Sequence, residues 1–131
     1  MTTEEKVNYW LCLANESLDD AKALLENKQL LFAGFACHLA VEKALKAAIQ
    51  NKNVTPPKMH DLGKLAKEAG LFEKLSEEQV LFLGILMPLQ IEGRYASYKD
   101  NIAMSLNNER TMEIYEKAKE MIKWVQAKLV K

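Results

Sequence analysis

A chain of 131 residues, 49% hydrophobic and 27% charged, is long enough to bury one core without disulfide or metal staples. Its 18 acidic and 18 basic residues cancel, which argues against a bulk electrostatic grip on nucleic acid but leaves room for a local basic pocket. The start, MTTEEKVNYW, lacks a signal peptide's positive and apolar regions, and no apolar run is long enough for a bilayer. A single cytoplasmic domain over residues 1–131, without membrane contact, is therefore expected.

In chain order the pattern is helical nearly throughout. Thr2 and Glu5 have capping-box spacing. After them Val7, Leu11, Ala14, Leu18, Ala21 and Leu25 recur every three or four residues, predicting a helix of roughly six turns closed by ENKQ. A second helix is predicted from about Leu30 to Gln50, ended by the tandem proline of NKNVTPPK. HDLGKLAKEAG predicts a short helix with Asp61 or His60 near its cap and Gly70 as its stop. Ser76 and Gln79 form a second capping box, which opens the uncharged run Val80–Ile91, with Pro88 as a kink or end. EGRYASYKDN reads as a loop. Asn107 or Asn108 then caps a last helix with Tyr115, Ala118, Ile122, Val125 and Leu129 facing inward.

No segment alternates with the period of a half-buried strand. The expected fold is all-α: an antiparallel up-and-down bundle of four main helices plus one short helix. The run Val80–Ile91 is apolar all round and must be covered all round. A second subunit is the expected cover, giving a homodimer, with central burial in one bundle as the competitor. Cys12 and Cys37 sit in apolar helical settings and are expected as buried free thiols, and no metal spacing such as Cys-x-x-Cys occurs.

The stretch FACHLAVEKALKA, residues 35–47, places four ionisable side chains in an apolar run. At about 100° per residue, His38, Glu42, Lys46, Gln50 and Lys43 fall on one side of the helix. Glu42 precedes Lys46 by four residues, the favourable order for an intrahelical ion pair. Two readings stay open: a solvated ion-pair stripe, or a stripe lining a cleft that meets Arg94 or a ligand phosphate. His38 and Glu42 could also be two metal ligands, but no second pair completes a site, so neither a metal nor a cofactor is expected.

Three fragments, AGFACHLAVEKALKA, PPKMHDLGKLAKEAG and GRYASYKD, together resemble the HEPN family of small helical domains. The most specific element is Glu42-Lys43-x-Leu45-Lys46-Ala47, supported by His60-Asp61-Leu62-x-x-Leu65 and by Arg94-Tyr95. The resemblance implies a helical bundle, commonly a homodimer, often accompanying a separate minimal nucleotidyltransferase and proposed to bind nucleotides. Many members are metal-independent RNases with an arginine, four to six residues, then a histidine. Here the positions after Arg94 hold Lys99, Asp100 and Asn101, and those after Arg110 hold Tyr115, Glu116 and Lys117. The two histidines, His38 and His60, lie upstream of both arginines.

The expected function is thus a non-catalytic nucleotide- or phosphate-binding module, serving a nucleotidyltransferase partner. Its candidate ligand residues are Arg94, Lys46, Lys43, Glu42, His60, Tyr95 and Tyr98. Arg94 would fork onto phosphate, the lysines add charge, and a tyrosine would stack on a base. Against this stand a structural ion pair for Arg94 with Glu42, Glu92 or Asp100, and a capping role for His60. Alternatives are a protein-interaction scaffold built on Val80–Ile91 and a divergent RNase using His38 or His60 with Arg94.

Overall fold

The computed structural model describes residues 1–90 and 106–129. Among these the chain is all helical: α1 (Thr3–Glu26), α2 (Leu30–Asn51), α3 (Leu62–Glu68), α4 (Glu77–Leu86) and α5 (Asn108–Leu129), with single 3-10 turns at Phe72–Lys74 and Met87–Leu89. The predicted loop from residue 92 to 101 lies outside the described residues.

Four of the five helix starts carry a side-chain cap; α2, which begins after Gln29, has none. Thr2 and Glu5 exchange side-chain and backbone hydrogen bonds at the start of α1, and Ser76 and Gln79 do the same at α4. Asp61 Oδ1 accepts from the Lys64 N–H at 3.1 Å and caps α3. Asn107 caps α5, its Oδ1 accepting from the Arg110 N–H at 2.8 Å. At the end of α3, Gly70 takes φ +73°, the Leu71 N–H reaches Ala66 C=O, and the Gly70 N–H reaches Lys67 C=O. That is a Schellman ending, for which glycine carries no Cβ penalty.

α2 is the centre of the bundle, packed most extensively on α1 and then on α5, with α3 and α4 on its remaining side. Its sequence allows this because Ala33, Ala36, Ala40, Ala44, Ala47 and Ala48 are all buried and add little bulk between helices. Ala14 and Ala21 of α1 are fully buried, consistent with a close pair of long helices joined by only Asn27, Lys28 and Gln29. Leu45, Ile49, Leu62, Leu65, Leu86, Ile122 and Val125 fill the centre. The turn at Met87–Leu89 locks onto α2 where a Cβ on Gly34 would meet Leu89 Cδ1 at 3.3 Å.

As expected, the run Val80–Ile91 breaks at Pro88: the helix stops at Leu86 and tightens into a 3-10 turn that includes Pro88, which has no N–H to continue the ladder. Three other expectations change. The apolar residues of that run are split: Phe82, Leu83, Leu86 and Leu89 are buried, while Val80 and Leu81 face outward, Leu81 at 70% exposure. The inward face of α5 is Thr111, Ile114, Ala118, Met121, Ile122 and Val125, with Tyr115 and Leu129 only half-buried at its edges. Cys37 is buried as expected, but Cys12 is exposed, because it lies off the stripe that faces α2.

Candidate functional site

The polar side of α2 does not face water. His38 has no accessible surface, Glu42 is 4% exposed and Lys46 is 8% exposed, so the solvated-stripe reading is overturned. The correction is tertiary: α1 covers this side of α2, and the segment leading into α3 returns over it. Charges in such a place must be paired. Glu42 is the hub. Its Oε2 accepts from Lys46 Nζ at 3.1 Å, its Oε1 faces His60 Nδ1 at 2.9 Å, and His38 Nδ1 lies 3.6 Å from the same Oε1.

The His60 contact spans eighteen residues and crosses from α2 to the start of α3. Asp61 does the capping there, so His60 is released from that role and turns its ring to Glu42. Half of its side chain, 49%, remains exposed. The two imidazoles therefore differ sharply. His38 is sealed in, and neither of its ring nitrogens has a hydrogen-bond partner among the described residues. Burial pushes it down to about 4, against the pull of the Glu42 charge, so it is neutral at pH 7.

α1 contributes three residues that motif reasoning missed. Trp10, half-buried, lies under the Lys46 ammonium, which is 5.7 Å from the ring centroid, within cation–π range. Tyr9 stands edge-on to Trp10 at 6.5 Å and is 56% exposed. Ser17, also buried, is 3.4 Å from Lys43 Nζ. Lys43 is half-buried and has no carboxylate partner among the described residues. The available signal for Trp10 was its register on the helix that pairs with α2, a signal readable only once the two helices are aligned.

Of the predicted ligand residues, Glu42, Lys46 and His60 come together, while Lys43 reaches Ser17 of α1 instead. Arg94, Tyr95 and Tyr98 lie outside the described residues. Among the described residues no group of three or more His, Cys, Asp or Glu could hold a metal ion. Cys37 is no nucleophile, since burial pushes its thiol up to about 12.

The sequence model of the HEPN domain matches residues 7–128. A crystal structure of an archaeal HEPN homologue is similar in fold, with a TM-score of 0.66 at 17% sequence identity, covering 95% of this chain and 98% of that one. Among curated proteins none matches the chain.

Proposed function

The chain belongs to the HEPN domain family, and from that premise we propose that it is a non-catalytic nucleotide- or phosphate-binding module. One observation carries the reading: Lys43 is a half-buried cation without a carboxylate partner among the described residues, one helical turn from Lys46. A partly desolvated ammonium that has only a hydroxyl beside it gains from an anion. Lys46 and Glu42 nearly neutralise each other, so Lys43 supplies the net charge and the Glu42 hub supplies rigidity. Arg94 would add a fork to phosphate, and Tyr95 or Tyr98 a stacking face.

Calorimetric titration with nucleoside mono-, di- and triphosphates tests this. Binding that is lost in Lys43→Met supports it, whereas silence across the panel at millimolar ligand counts heavily against it.

A second reading, a protein-interaction scaffold and homodimer, is favoured by α4. Val80 at 37% and Leu81 at 70% exposure form an apolar outer face on a short helix. A second copy, or a separate nucleotidyltransferase protein, would cover this face. In this reading the wild type scatters light as a dimer and Leu81→Asp as a monomer, and a wild-type monomer at micromolar concentration defeats it. No described helix is long and apolar enough to cross a membrane, and we place the module in the cytoplasm.

A further inference from the structure

We propose that His60 reads a hydroxyl or amino group on the bound ligand, accepting a hydrogen bond at Nε2 while Lys43 takes the ligand's anion. The inference deepens the nucleotide-binding reading and rests on it.

The argument starts at Glu42. An ionised carboxylate only accepts hydrogen bonds. Oε2 accepts from Lys46 Nζ at 3.1 Å, and Oε1 faces His60 Nδ1 at 2.9 Å. A neutral His60 must therefore carry its proton on Nδ1, which leaves a lone pair on Nε2. This reverses the tautomer that a free imidazole side chain prefers. The two ring nitrogens point in divergent directions, so an Nδ1 turned to Glu42 sends Nε2 away from it. Among the described residues nothing bonds to Nε2, and half the side chain is exposed. Glu42 is itself held from the other side by Lys46, so the carboxylate that faces Nδ1 is anchored.

Water serves this lone pair in the free protein, and a ligand that replaces the water must bring a donor of its own. A fully ionised phosphate has none to offer, whereas a sugar hydroxyl or a base amine does. The site therefore asks for a ligand that joins an anion to a donor. Trp10 beside Lys46 adds an indole suited to a flat ring. A nucleoside monophosphate has all three features, and inorganic phosphate has one. The tautomer, set by a buried carboxylate on another helix, is what makes His60 a selector for nucleoside over bare phosphate.

The first measurement is the histidine nitrogen-proton correlation spectrum of the ligand-free protein, at a pH where the His60 ring is neutral in the same spectra. The expected result is the Nδ1–H tautomer for His60 in the wild type, with a shift toward Nε2–H in Glu42→Gln. The second is calorimetry with AMP and with inorganic phosphate. In His60→Ala, whose fold is verified first by circular dichroism and a thermal melt because the change takes a partner from the buried Glu42, AMP is expected to weaken by about three- to tenfold, with phosphate unchanged. An Nε2–H tautomer in the wild type overturns the proposal even if AMP binds. Equal weakening of AMP and phosphate in His60→Ala also overturns it, since His60 would then be a phosphate donor. If neither probe binds the wild type, the nucleotide reading itself falls and takes this one with it.

Discussion

Two ion pairs in this protein have the same sequence grammar. Glu42 and Lys46 on α2, and Glu113 and Lys117 on α5, are both glutamate four residues before lysine. Their distances are nearly equal, 3.1 Å and 3.3 Å, but their side chains are 5% and 9% exposed in the first pair and 60% and 36% in the second. Spacing makes an ion pair available on any helix. Only the neighbours decide its dielectric, and so whether it is a surface ornament or the hub of a polar cluster. α2 is covered by α1 and by the return of His60, whereas the Glu113 face of α5 stays open.

The sharpest way to break the comparison is to cut each pair at its carboxylate. Glu42→Ala strands the Lys46 ammonium in a nearly dry site and removes the acceptor that faces His60. Breaking a buried pair from one side costs about 3–5 kcal/mol, and urea denaturation should show a loss of that order. A loss below about 1 kcal/mol, the range of exposed pairs, would mean that the cluster is wet in solution.

This contrast also marks how far the sequence could be read. The caps at Thr2 and Ser76 were legible, and those of α3 and α5 were narrowed to neighbouring pairs that include Asp61 and Asn107, because capping is settled within three residues. The helical periods of α1, α2 and α5 were legible because a stripe repeats many times. The burial of Glu42 was not, because His60, which meets it, and Trp10, which lies under its partner Lys46, are remote in sequence and marked by no local rule. The same reason explains Cys12 and the split face of α4. An apolar neighbourhood in sequence does not state which side of the helix meets the core.

The second test uses His38, which shares the Glu42 hub but has no exposed counterpart. Its folded-state value is pushed down from 6.5 to about 4, by burial first. Between those two pH values the unfolded chain binds the proton that the folded chain refuses. Stability from this group is therefore fully present above pH 6.5 and is lost as pH falls toward 4, by about 3 kcal/mol. Denaturation midpoints at a series of pH values should follow that slope, and His38→Asn should flatten it. An unchanged slope in the variant would assign the acid sensitivity to other groups.

Gly70 sharpens the comparison from another direction. It is exposed, as Glu113 is, yet its φ is +73°. An alanine there must adopt the left-handed conformation, at about 1–2 kcal/mol. Gly70→Ala should therefore be clearly less stable in thermal melts, even though the nearest obstacle to a Cβ is the Lys52 ammonium at an ordinary 3.7 Å. Exposure forecasts a small effect only where the backbone is ordinary.

The smallest effect is expected at the exposed pair. Glu113→Ala removes the 3.3 Å contact with Lys117, but water replaces it on both sides, and alanine has the higher helix propensity. The two changes oppose each other at a few tenths of a kcal/mol each. The net should lie within about 0.5 kcal/mol of zero and should shrink further as salt is added, because the lost attraction is screened. A salt series on both carboxylate variants is thus the finest form of the comparison. The Glu113→Ala difference should fade with ionic strength, and the Glu42→Ala difference should persist. If both fade alike, the burial that separates the two pairs does not hold in solution.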